Sequence, residues 1–449
     1  MSELNSVDVN VSSRGQWKST FGFVMAAAGS AIGLGNLWKF PYLAGKNGGG
    51  AFVAIYLGLI VIVGFTLILA EMSIGRRGQS DAYGSFKKIN DKFGFIGLLG
   101  VITSFIILSY YSVIGGWILK YIGSYVAGGI SGSESTGYFV NLISSPLEPL
   151  VYHFGFMLIT ALIVLGGVEK GIERASKVMM PALFVLLIVV AIRAITLPGA
   201  MAGITFFLKP DFSKVTISTV IAALGQVFFS LSLGMGVMVT YGSYLNKNGN
   251  MPKDSLTIPF IDTMIAMLAG FAILPAVFAL GFEPGQGPGL MFITLPAVFD
   301  KMPMGSFFGF LFFVLVFFAA VTSSISLLET SVSLAVDQLK VNRKTAALIL
   351  ATVAFLLGVP SSLANGILGE VMIFGKNFFD LMCFLTDNIL LPMGGLLLCL
   401  FVGYIWGPKE ALKEITNDGD LKFGIGKMWM FAIRYIAPIL LIIVIISSF

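Results

Sequence analysis

The residues able to do chemistry in this 449-residue chain are few, and nearly all of them interrupt apolar stretches. The first group is Gly29-Ser30-Ala31-Ile32-Gly33-Leu34-Gly35-Asn36, running on into Leu37-Trp38-Lys39-Phe40-Pro41. Its glycines and asparagine oppose a helix, yet its flanks stay apolar for about a full bilayer crossing. The second is Phe228-Phe229-Ser230-Leu231-Ser232-Leu233-Gly234-Met235-Gly236-Val237, with the same order of small hydroxyl residues and glycines. Thr322-Ser323-Ser324 places three hydroxyls in a row in an apolar segment, and Asp262 is a lone carboxylate among Phe260, Ile261, Ile265 and Met267. A broken helix at membrane depth is tolerated only where its freed backbone faces protein or an aqueous cavity. A carboxylate there is costly unless a cation or proton meets it. Freed carbonyls are hard oxygen ligands for a small alkali cation, and freed amides suit an anion such as a carboxylate.

Composition says where these breaks lie. The chain is 57% hydrophobic and 11% charged, with mean hydropathy +0.93, which is an integral membrane protein and not a soluble domain. Cys383 and Cys399 alone exclude a disulfide framework or a thiolate metal centre, and the single His153 excludes histidine-based metal sites or a catalytic triad. A membrane-embedded enzyme would need a paired acid, base or metal set, and Asp262 has none in view. The net charge of +5 sits in interhelical loops, so it reports orientation and not a nucleic-acid partner. The polar run from Ser2 to Ser19 lacks the order of a signal peptide.

Apolar segments fall at about 21–45, 51–75, 95–127, 151–167, 178–197, 216–245, 258–282, 305–338, 345–368, 377–407 and 428–448, predicting an all-α bundle of eleven transmembrane helices. With the N-terminus cytoplasmic, one set of loops is rich in Lys and Arg, while the other holds Lys46, Lys209, Lys214, Lys301 and Lys376. That asymmetry puts the N-terminus inside and, with an odd helix count, Phe449 outside. The first and sixth segments are both interrupted, the trace of an inverted-topology repeat with a site near the midplane. The single transporter-like domain 1–449 then divides into repeats 15–200 and 215–407, with 428–448 outside them.

Gly29 to Pro41, followed by Asn47-Gly48-Gly49-Gly50-Ala51-Phe52, resembles the start of the neurotransmitter:sodium symporters, the family with the LeuT fold. The resemblance continues in Tyr110-Tyr111, Gly171-Ile172-Glu173-Arg174, Gly225-Gln226-Val227 through Gly234, and Ala320-Val321-Thr322-Ser323-Ser324. It covers nearly the whole chain. The end differs: the family commonly has twelve helices, and this chain stops after eleven, as some bacterial members do.

The resemblance implies two sodium ions. One site would use the Ala31 carbonyl, Asn36, Ser230 and Asp262; the other the carbonyls of Gly29, Ile32 and Ala319 with the hydroxyls of Thr322 and Ser323. Asp262 stands where many members supply an Asn, and Ala266 where chloride-dependent members place a Ser, so no chloride requirement is expected. Gly33 stands where monoamine carriers have an Asp, leaving room for a substrate that brings its own carboxylate. An amino acid would rest its carboxylate on the amides of Leu34 and Gly35 and on Tyr111, and its amine on Ala31, Phe229, Ser230 and Ser232. Its side chain would face Ile107, Phe229, Met235, Ser324 and Leu327, an apolar surface favouring a hydrophobic or aromatic amino acid such as tyrosine. Lys39 with Asp380 matches an outer gate, and Arg14 with Asp337, supported by Trp17 and Tyr244, an inner one.

The resemblance carried by these residues implies sodium-coupled symport by alternating access in a bacterial inner membrane, with amino acid, sodium and lipid as partners and no nucleic acid. A sodium-dependent amino-acid sensor without turnover has the same residues. A channel would instead show a continuous polar stripe or charge ring. The sequence carries no signal of oligomeric state.

Overall fold

The computed structural model describes residues 15–247, 249–283 and 288–447. The long helical segments are α1, split into α1a (Thr20–Ala31) and α1b (Gly35–Lys46), then α2 (Gly50–Gly78), α3 (Asp91–Val126), α4 (Glu148–Leu165) and α5 (Val168–Ile195). They are followed by α6, split into α6a (Ile217–Ser230) and α6b (Val237–Gly242), and by α7 (Met251–Ala279), α8 (Gly305–Gln338), α9 (Arg343–Leu363), α10 (Phe378–Trp406) and α11 (Gly426–Ser447). Nine of these are long and apolar enough to cross a membrane, and the bent pair α1a and α1b makes ten. The halves of α6, at 14 and 6 residues, are each too short to cross alone, since a crossing takes about 20 residues. Among the described residues there are no strands, only two isolated bridges.

Both breaks form where the sequence forbids helix. α1a starts on Ser19, whose hydroxyl accepts from the Gly22 amide, and ends as Ile32 turns extended. The chain resumes as α1b at an angle of 52°. α6a starts on a reciprocal Thr216–Thr219 cap. It ends because Ser232, Gly234 and Gly236 have φ of +53°, +77° and +72°, a left-handed run that no α-helix accommodates and that a serine adopts only under constraint.

α8 is the axis of the molecule: 78% of its apolar window is buried, against 33% for α11 at the rim. It packs on α3, α4, α5 and α9, while α1 lies against α7 and α8, and α2 against α6b. Two helices begin earlier than expected. α5 starts at Val168, so Gly171 lies inside its first, widened turn and Pro181 in its interior. α7 starts at Met251, with Pro259 inside, which sets Asp262 well into the helix and not at its end.

Small residues allow the closest crossings, as expected where lipid supplies no hydrophobic drive between helices. A Cβ on Gly75 would lie 2.0 Å from the Val239 carbonyl, where α2 meets α6b, whereas a Cβ on Gly58 meets nothing within 4 Å. Gly75→Ala should therefore lower the thermal midpoint in detergent, at an overpacking cost of roughly 1–3 kcal/mol. Gly58→Ala should be neutral or slightly stabilising. Equal midpoints for the two variants would mean the α2–α6b crossing is not as tight as described.

Candidate functional site

The two breaks face one another, and the side chains of α2, α3, α7 and α8 close the space around them. Gly33 donates its amide to Asn36 Oδ1 at 3.1 Å, and Leu34 donates to the Tyr111 hydroxyl at 3.2 Å. The Gly35 carbonyl accepts from Gln226 at 2.8 Å, and the Gly234 amide donates to Glu71 at 2.7 Å. Ser232 donates to the Ser30 carbonyl at 2.9 Å, and Ser104 to the Met235 carbonyl at 2.6 Å.

Asn36, Ser230 and Asp262, chosen from sequence, do converge, all of them fully buried. Asn36 donates to Asp262 Oδ1 at 2.7 Å and to Ser230 at 3.1 Å. Ser230 is 2.9 and 3.0 Å from the two carboxylate oxygens. Tyr56 of α2, not anticipated, donates to Asp262 Oδ2 at 3.3 Å. An Asp262 reaching to water from a helix end is excluded by this geometry.

The second oxygen cluster lies between α1 and α8. The Ser323 hydroxyl is 3.4 Å from the Gly29 carbonyl, 3.1 Å from that of Ser30 and 3.5 Å from that of Ile32. Thr322 is 3.0 Å from the carbonyls of Ala319 and Phe318, so its hydroxyl also bonds back to its own helix, as is common for Thr in such helices.

Between the clusters is a cavity lined by Ser30, Ala31, Gly33, Leu34, Gly35, Ile107, Tyr111, Phe229, Ser232, Met235, Ser323 and Leu327. Most of these were expected, and Ser30 and Ser323 join them. A Cβ on Gly33 would lie 2.7 Å from Ser323 Oγ and 2.9 Å from the Tyr111 oxygen, and one on Gly35 would lie 2.7 Å from the Phe229 ring. The glycines are what leave this space open. It is contracted, with 20 Å³ for the centre of a water-sized sphere, about one such sphere.

Two expectations need correction. Ser324 does not line the cavity: its hydroxyl is 2.8 Å from Thr160 of α4. One residue is about 100° around a helix, so Ser323 and Leu327, four apart, share the cavity face and Ser324 turns to the neighbouring helix. Lys39 pairs with Asp387, at 2.8 Å, and not with Asp380; Asp380 sits in the first turn of α10, its amide bonded to Asn377. The two aspartates are seven residues apart on α10, with the second inside the widened turn Leu385–Leu390, so a pattern match slips from one acid to the other. Lys39 also lies 4.2 Å over the Phe229 ring, and Tyr110 ties α3 to Thr386 at 3.0 Å.

On the opposite side, Trp17 donates to the Tyr241 carbonyl at 3.0 Å, and Tyr244 donates to Glu329 at 2.7 Å. Arg343 grips both oxygens of Glu329. Arg14 lies outside the described residues, and Asp337 accepts from the Asp81 amide at 2.7 Å. Glu71 and Glu329 were missed, although each is an acid inside an apolar helix, the signal that had singled out Asp262. Arg343 sits at a helix start, where sequence does not distinguish it from an ordinary loop cation.

Comparison with known proteins fits this geometry. The model of the sodium:neurotransmitter symporter family matches residues 14–134 and 149–449. An uncharacterized sodium-dependent transporter, YhdH, of Bacillus subtilis is 44% identical over 96% of this chain and 97% of its own. One of Haemophilus influenzae is 39% identical over 98% and 99%. The crystal structure of MhsT in complex with L-phenylalanine superposes with a TM-score of 0.90 at 45% identity, covering 97% of this chain and all of that one, and the fold is the LeuT fold.

The different surroundings of adjacent serines give a direct test. Ser323→Ala should raise the sodium concentration for half-maximal response about tenfold or more, the loss of roughly 1.5 kcal/mol expected for a contact to a charge. Ser324→Ala should leave it within about twofold and cost about 1 kcal/mol of stability at most, since the Thr160 hydroxyl keeps its bond to the Phe156 carbonyl at 3.1 Å. The reverse order would show that Ser324, not Ser323, faces the ion.

Proposed function

The chain belongs to the sodium:neurotransmitter symporter family, and from that premise we propose that it carries a large hydrophobic or aromatic amino acid together with two sodium ions, without a chloride requirement. The observation that carries this reading is the buried Asp262–Asn36–Ser230 cluster beside a cavity floored by backbone. A sodium ion there would be met by the Asp262 carboxylate, the Ser230 hydroxyl, the Ala31 carbonyl and the Asn36 oxygen, and by the substrate's own carboxylate. Asp262 then supplies the fixed negative charge, so an external chloride has no part to play. A buried carboxylate of this kind is tolerated because its partners and the cation satisfy it.

The second sodium would lie among the carbonyls of Gly29, Ile32 and Ala319 and the hydroxyls of Thr322 and Ser323. This set spans α1 and α8, so an ion in it ties the moving pair of broken helices to the helix axis of the molecule. Repeats 15–200 and 215–407, with α1, α2, α6 and α7 rocking against α3, α4, α8 and α9, describe the motion, with the N-terminus inside and the C-terminus outside. The Lys39–Asp387 pair over Phe229 would close the outer path, and the Trp17, Tyr241 and Glu329 contacts the inner one.

The amino acid's carboxylate would take the Leu34 and Gly35 amides and the Tyr111 hydroxyl, and its amine the carbonyls near Ala31, Phe229 and Ser230 with Ser232. Its side chain would meet Ile107, Met235 and Leu327. The MhsT complex with L-phenylalanine supports a side chain of this class. Ser324 turns to Thr160, which leaves Ile107, Met235 and Leu327 as an apolar wall, and a tyrosine hydroxyl buried there without a partner would cost about 1–3 kcal/mol. Phenylalanine therefore fits better than tyrosine. Binding requires the contracted cavity to open, which the flexible Met235 thioether and the Phe229 ring permit.

Proteoliposomes with an imposed sodium gradient test this. Labelled phenylalanine should accumulate equally with chloride or gluconate outside, competed by tyrosine and leucine and not by glycine or glutamate. Asp262→Asn should lower chloride-free uptake by at least about tenfold, about one charge-assisted contact. Unimpaired chloride-free uptake by Asp262→Asn would remove Asp262 from the sodium site, and glycine-selective uptake would overturn the side-chain assignment.

A further inference from the structure

Far from the transport path, α11 carries an arginine where a lipid-facing helix ordinarily has none. Arg434 is eight residues into α11, which begins at Gly426, or about 12 Å along its axis, and it is exposed on the outer surface. Among the described residues no carboxylate pairs with it. Its guanidinium is nonetheless held: it lies 4.9 Å from the Tyr404 ring and 5.7 Å from the Tyr435 ring. Tyr404 also donates to the Arg434 carbonyl at 2.9 Å, within the widened turn Ala432–Ile436. A Cβ on Gly403 would lie 3.3 Å from the Arg434 Cα and 3.7 Å from its Cγ, so the glycine of α10 makes room for the arginine's stem. Arg434 lines a surface cavity of 350 Å³ with Lys409, Glu410, Met430, Phe431 and Tyr435. The one acid in it, Glu410, is already paired with Lys413 at 2.8 Å.

Two aromatic faces fix the cation and its donor edges remain free, beside a second cation and an exposed apolar wall at Phe431. The geometry points to a binding site for the phosphate head of an anionic phospholipid, gripped by Arg434 and Lys409, with its acyl chain running along Phe431 and Met430. Guanidinium geometry suits a phosphate fork, and a basic pocket between membrane helices is where anionic lipid head groups are recognised. A long cationic side chain at this depth otherwise has only the interface to reach for. A second copy of the chain would have to bring a carboxylate to the same depth.

The test uses the full chain in detergent, with native mass spectrometry for retained lipid and the thermal midpoint as a second readout. Dioleoyl phosphatidylglycerol should be retained in preference to dioleoyl phosphatidylcholine and should raise the midpoint, as any ligand of the native state does. Arg434→Gln should cut that preference about fivefold, the contribution of one interfacial cation. Arg434→Lys should recover part of it, Tyr435→Leu should weaken it with the charge intact, and Arg174→Gln, elsewhere on the surface, should leave it unchanged. Equal retention of the two lipids by the unmodified protein, which needs no variant to fold, overturns the proposal. So does the same midpoint rise from inorganic phosphate, which would make the site one for a free anion, or a lipid-independent dimer that Arg434→Gln dissolves, which would give the surface to a second copy.

Discussion

Two helices of this protein come apart in the middle of an apolar bundle, and every polar backbone group they free must find a partner there, because lipid offers none. The rest of the site follows from that requirement. Tyr111 takes the Leu34 amide, Asn36 the Gly33 amide, Gln226 the Gly35 carbonyl, Glu71 the Gly234 amide, and Ser232 and Ser323 the Ser30 carbonyl. These partners come from α2, α3 and α8 as well as from the broken helices themselves, so the breaks and their surroundings fold as a unit. On the proposed reading, an ion or an amino acid entering the gap would exchange these contacts for its own, which would make the site responsive to what occupies it.

On the proposed reading the two cation sites differ in what they join. Asn36, Ser230, Asp262 and Tyr56 belong to α1, α6, α7 and α2, so a cation among them organises the moving bundle internally and contacts the substrate. The Ser323 cluster joins α1 to α8, so a cation there holds bundle and scaffold together. Such a division lets one ion report on the substrate and the other on the conformational state. Coupling through shared ligands is reciprocal by thermodynamic necessity.

Much of this was legible in the sequence because membrane depth makes polar residues expensive and therefore informative. The breaks at Gly29–Asn36 and Ser230–Gly236 could be read from residue type and spacing, while the role of Gly33 as open space and the meeting of Asp262 with Asn36 and Ser230 followed from the family resemblance. Depth along a helix could not. Asp380 and Asp387 are seven residues apart across the widened turn Leu385–Leu390, and only where Lys39 comes to lie beside α10 selects the second. Nor could the choice between adjacent hydroxyls: Thr322, Ser323 and Ser324 differ by rotation about α8, and the sequence does not give the phase of that helix against α1 and α4. Glu71 and Glu329 obeyed the same rule as Asp262 and were overlooked because their motifs suggested no ligand. Their function is to hold backbone and Tyr244, which becomes visible only when α6 is folded against them.

On the proposed reading, sodium and the amino acid complete a single coordination shell. Equilibrium binding of labelled phenylalanine to the purified protein, measured with sodium titrated against choline, tests it most directly. Saturating sodium should tighten phenylalanine binding by about 5- to 150-fold, and saturating phenylalanine should lower the sodium midpoint by the same factor. A phenylalanine affinity that is the same with and without sodium would contradict it.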